Sequence, residues 1–105
     1  MNNFKIIYKI LRLLDKYKGD ESFDVSLVSA QAMGVSFPEW EQLIIEIFRA
    51  GYIDGITTTQ TMSDKFPHIV EPITPRITLK GMEYLSENGM MGKARDALRL
   101  LGDLT

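Results

Sequence analysis

At 105 residues and 11.9 kDa, with 45% hydrophobic and 25% charged side chains, the chain has the size and composition of one globular domain. Fourteen acidic residues against twelve basic ones give a net charge of −2, which excludes a generally basic nucleic-acid binder. Cysteine is absent, and with it disulfides, thiolate zinc sites and thiol catalysis.

The opening MNNFKIIYKILRLL is interrupted by Lys5, Lys9 and Arg12, so it is neither a membrane span nor the unbroken apolar core of a signal peptide. A cytoplasmic location is expected. On a helical wheel Phe4, Ile6, Ile7, Tyr8, Ile10, Leu11, Leu13, Leu14 and Tyr17 form a broad apolar arc, leaving a narrow basic stripe of Lys5, Lys9, Arg12 and Lys16. This predicts a helix over 3–18, stopped at Gly19.

A short helix over 26–33 follows, with Gly34 just past its end. The strongest start signal is Ser36 three residues before Glu39, the spacing of a capping box. Val35 and Trp40 flank it as a hydrophobic staple, and Pro38 lies in the first turn, where its missing donor is no loss. A helix over 37–50 is predicted, ending at Gly51.

From Tyr52 the pattern becomes short and β-branched, with Gly55 marking a bulge before Thr57-Thr58-Thr59. Residues 60–72, with Pro67 and Pro72, read as a polar loop, and a return strand over 73–78 completes a wing over 52–78. Thr78 then caps a helix over 79–87, stopped by Asn88-Gly89, and a last helix is predicted over 90–101.

Helix, short helix, glycine turn, capped helix, strand, loop, strand, helix is the order of a winged helix. Ala30, Gly34, Trp40 and Leu43 stand at helix-turn-helix spacing within it. The expected fold is therefore α+β and mostly helical: a single winged-helix domain with a small antiparallel wing and an extra C-terminal helix. The stretches Asn3-Phe4-Lys5-Ile6-Ile7-Tyr8-Lys9-Ile10-Leu11, Gly51-Tyr52-Ile53 and Ile77-Thr78-Leu79-Lys80-Gly81-Met82-Glu83-Tyr84-Leu85-Ser86-Glu87-Asn88, followed by Met90-Met91, carry a further signal. With them the chain resembles the YjcQ-like small proteins of Gram-positive bacteria and their phages, over most of its length except 57–72. The resemblance implies a winged-helix-like domain of phage or prophage type; it implies no activity and transfers no functional residue.

No catalytic, metal or cofactor site is expected. His68, between Pro67 and Ile69, has no serine or acid at a motif spacing and reads as a loop residue without a role. The carboxylates form no metal or phosphate-loop motif. The candidates are surfaces. A DNA-binding use would draw on the stripe Lys5, Lys9, Arg12 and Lys16, on Gln42 and Arg49 of the 37–50 helix, and on Thr58, Gln60, Lys65 and Arg76 of the wing. The alternative to base reading by the 37–50 helix is a solvated face, since Glu39 and Glu46 flank Arg49 there. A partner-binding use would draw on Met90, Met91, Leu98, Leu100, Leu101 and Leu104 of the last helix, through another protein or a second copy.

Two readings follow. One is a non-enzymatic protein-interaction adaptor or regulatory accessory; the other is a weak or dimeric DNA-binding regulator. Charge is polarised along the chain, +4 over residues 1–18, −7 over 19–71 and +1 over 72–105. Acid therefore concentrates around the helix that would read bases. If DNA is bound, the first helix and the wing are expected to contribute more than the helix-turn-helix.

Overall fold

In the computed structural model, which describes residues 3–89, the first helix α1 (Asn3–Lys16) buries Ile6, Ile10, Leu11 and Leu14. Lys5, Lys9, Arg12 and Lys16 stay on its exposed side. The helix ends two residues earlier than expected. Tyr17 leaves it to stack on Phe23, ring centroids 5.4 Å apart, which closes the turn through Gly19.

The short helix predicted over 26–33 is two pieces, because two side chains each cap a new start. Asp24 accepts from Ser26 N–H at 3.0 Å and opens a 3-10 turn, Val25–Val28. Ser29 is extended (φ −74, ψ 167) and accepts from Ala32 N–H at 3.2 Å, opening α2 (Ala30–Met33). An extended residue cannot continue a helical ladder, so the break falls there. Gly34 (φ 73) turns the chain into α3 (Phe37–Arg49), where Ser36 Oγ accepts from Glu39 N–H as the capping spacing requires.

α3 sends Trp40, Leu43, Ile44 and Ile47 into the core built with α1, Val28 and Met33. The Trp40 indole N–H donates to the Val28 carbonyl at 2.7 Å, tying α3 to the 3-10 turn. After Gly51 the chain enters a bent antiparallel ribbon. The outer ladder pairs β1 (Ile53–Asp54) with β4 (Arg76–Ile77), and the inner ladder pairs β2 (Thr57–Thr59) with β3 (His68–Val70). Five residues of the return strand, 71–75, stand opposite Gly55 and Ile56, so the two ladders are out of step.

Two expectations are corrected here. The polar loop read over 60–72 contains β3, and the return strand read over 73–78 shrinks to Arg76–Ile77. The bulge at Gly55 is present, φ +83, and separates β1 from β2.

Thr78 Oγ1 accepts from Gly81 N–H at 3.1 Å and starts the fourth helix, α4, at residue 79. Lys18 Nζ reaches Met82 Sδ at 3.4 Å, and Gly89 lies against the Tyr8 hydroxyl, so α4 runs antiparallel beside α1. Asn88 and Gly89 do not stop it. Both are helical, and the Asn88 amide donates to the Tyr84 carbonyl of its own helix at 2.8 Å. The predicted helix over 90–101 lies outside the described residues. Mixed α+β and mostly helical is therefore the architecture, with an antiparallel ribbon between α3 and α4.

Candidate interaction surface

Glu41 is only 5% exposed, on the flank of α3 that it shares with buried Ile45 one turn later. An ionised carboxylate taken from water costs several kcal/mol, of order 5, unless hydrogen bonds replace its hydration. β3 supplies them. Ile69 N–H donates to Oε2 at 3.0 Å, and His68 Nδ1 lies 2.9 Å from Oε1. The Glu41 hydrogen bond, helped by the charges of Glu41 and Asp64, holds the His68 pKa above its usual value against the opposing effect of burial.

Gln42 continues the grip, its amide donating to the Pro67 carbonyl at 3.1 Å. Two successive side chains of α3 thus hold the return strand of the ribbon. His68, expected to be a loop residue without a role, is instead a ligand of a buried carboxylate. Ile45, buried one turn after Glu41 and off the main apolar face of α3, marks the flank that the ribbon covers, but nothing near His68 in sequence names it as the partner.

Residues 60–67 connect β2 to β3 as a braced turn. Asp64 accepts from Thr61 N–H through Oδ2 at 2.9 Å, its own N–H donates to the Thr61 carbonyl, and the Gln60 amide donates to the Asp64 carbonyl at 3.2 Å. The Thr61 backbone N–H and hydroxyl, bonded to the Asp64 carboxyl, hold it below its usual pKa, with a further contribution from His68. With the acid drawn inward, the turn presents Met62 fully exposed and Phe66 at 60% exposure.

The remaining candidates separate into three groups. Lys5, Lys9, Arg12 and Lys16 form an exposed stripe on α1 with no ion pair among the described residues, Lys16 resting near the Tyr17 ring. On α3, Glu39, Glu46 and Arg49 are exposed while Gln42 is half-buried against the ribbon. On the ribbon, Thr58 is half-buried, Lys65 is exposed, and Arg76 pairs with Asp54 at 3.1 Å. The structure does not bring these groups into one surface through α3. Met90, Met91, Leu98, Leu100, Leu101 and Leu104 lie outside the described residues.

A family model described as YjcQ protein matches residues 8–104. The chain belongs to the YjcQ family. The uncharacterized protein YjcQ of Bacillus subtilis strain 168 is 30% identical over 103 residues, covering 98% of this chain and 97% of that protein. No solved structure matches the chain. In this YjcQ-family chain no helix among the described residues is long and apolar enough to cross a membrane.

The latch predicts a pH effect with a definite sign. Because the His68 pKa is raised on folding, its contribution is complete below the unfolded value of about 6.5 and is lost as pH rises through the folded value. Denaturant melts at a series of pH values should show stability falling over that window. Glu41→Ala should flatten most of this slope, Asp64 alone remaining to raise the His68 pKa, and lower stability by about 2 kcal/mol, since it orphans the Ile69 amide. A slope undiminished in Glu41→Ala would place its origin elsewhere.

Proposed function

We propose that this YjcQ-family chain is a non-enzymatic interaction module of winged-helix type, a regulatory accessory that works by contact with protein. The observation that carries the reading is the use made of α3. In a DNA-reading winged helix the side chains of this helix meet base edges in the major groove. Here Glu41 and Gln42 are spent on the chain's own ribbon, and the uncovered face offers Glu39 and Glu46 against Arg49. Carboxylates at that place repel phosphate. The ribbon tip, by contrast, offers Met62 and Phe66 on a braced turn.

A second reading, contact with the DNA backbone, is favoured by one observation: the exposed basic stripe on α1, which has no ion pair among the described residues. Such a stripe positions a protein on phosphates without reading sequence.

Fluorescence anisotropy of labelled mixed duplex DNA, at low and moderate salt, separates the two. No rise at low salt, together with photo-crosslinked protein adducts from position 66 and none from Glu87, is the expected result. Salt-sensitive binding would favour the second reading. In that case Lys9→Ala with Arg12→Ala should reduce the salt slope by about two, while Arg49→Ala leaves affinity unchanged.

A further inference from the structure

Two apolar features of opposite shape lie on the ribbon side of the molecule. The convex one is the tip, where the Asp64 bonds preform the turn that carries Met62 and Phe66 outward. The concave one is a cavity of about 180 Å³ between the 3-10 turn, the start of α3 and the return strand, lined by Val25, Ser26, Trp40, Pro72 and Ile73. Exposed Phe37 packs on Trp40, the two ring centroids 5.5 Å apart.

Size and charge match between them. An apolar cavity of about 150 Å³ accepts a benzene molecule, so this one has room for the phenyl ring of Phe66. Lys65 stands beside Phe66, and Glu71 lies at the cavity; both are exposed and neither has an ion-pair partner among the described residues. Within one chain they cannot meet. The β2–β3 ladder keeps residues 68–70 extended between them, so Phe66 cannot fold back onto Pro72.

We propose that the cavity receives the tip of a second copy of this chain, with Phe66 of one copy against Trp40 of the other and Lys65 facing Glu71. This deepens the protein-contact reading, on which it rests, by naming the partner. Reciprocal insertion closes a two-fold dimer. Each insertion covers little surface, so the association is weak.

The test is sedimentation equilibrium of the full chain from about 10 μM to about 1 mM, the range over which small interfaces dissociate. The mass should rise with concentration. Phe66→Asp, at an exposed position, should raise the dissociation constant at least about tenfold. Ser26→Trp, which fills the cavity from its edge, should do the same with an unchanged circular dichroism spectrum. Lys65→Glu and Glu71→Lys should each weaken association, and the two together should restore it; no recovery overturns the assigned orientation. A chain that stays monomeric at about 1 mM overturns the proposal, as does association indifferent to both Phe66→Asp and Ser26→Trp. A monomeric chain whose position 66 crosslinks to a different protein overturns the second copy as occupant and leaves the protein-contact reading standing. A monomeric chain that gives no such adduct and binds DNA overturns both.

Discussion

Replacing Trp40 by Ala is expected to lower the unfolding free energy by about 4 kcal/mol, the usual range for emptying an aromatic site in a core. Two losses combine. The side chain is 5% exposed and packs in the core formed by α1, α3 and the 3-10 turn, so truncation leaves a cavity that the neighbouring helices fill only in part. The indole N–H also satisfies the Val28 carbonyl in a buried setting, and truncation orphans that oxygen. Trp40→Phe separates the terms. It retains most of the bulk and removes the hydrogen bond, so about 1–2 kcal/mol should be lost. Urea titration followed by circular dichroism measures both. A loss below about 1 kcal/mol for Trp40→Ala would mean that the site collapses freely, contrary to the packing described.

Gly55→Ala is expected to cost about 3 kcal/mol or more, from strain and from a clash. Gly55 has φ +83, a conformation that L residues adopt at a cost, and a Cβ there would run into the carbonyl of Thr74. That carbonyl is backbone and cannot rotate aside. It belongs to the residue whose N–H donates to the Gly55 carbonyl at 3.1 Å, so relief of the clash must break the bond that spans the two ladders. Gly34→Ala is the control. Its φ of +73 is similar, yet nothing lies within 4 Å of the added Cβ, so only the conformational cost of about 1 kcal/mol should appear. Equal losses at the two positions would show that contact with Thr74 contributes nothing. Amide exchange at Asp54 and Arg76 should accelerate in Gly55→Ala and not in Gly34→Ala.

The parts of this fold legible in the sequence are those with a local physical cause. Ser36 before Glu39 fixes the start of α3 because the bond it makes spans three residues. Thr78 starts α4 for the same reason. Failures occur where a distant partner decides. His68-Ile69-Val70 between two prolines is too short to announce a strand, and it becomes one through β2 and α3. Glu41 reads as a surface carboxylate on any wheel; its burial depends on an amide and an imidazole more than twenty residues away in sequence. Gln42 has the right chemistry for a base edge, and only the fold reveals that Pro67 already holds it. Asn88-Gly89 carries the composition of a stop, yet both residues are helical, Asn88 closing a bond to the Tyr84 carbonyl of its own turn.

Trp40 is the single tryptophan of the chain. Its indole is shielded, hydrogen-bonded and set in the wall of the Val25–Pro72 cavity. All tryptophan emission of the native protein therefore arises from one address, where α3 meets the 3-10 turn. Quenching by acrylamide, emission wavelength and anisotropy decay each report on whether that cavity is open or filled, in the unlabelled wild-type chain. The molecule carries its own optical gauge of occupancy.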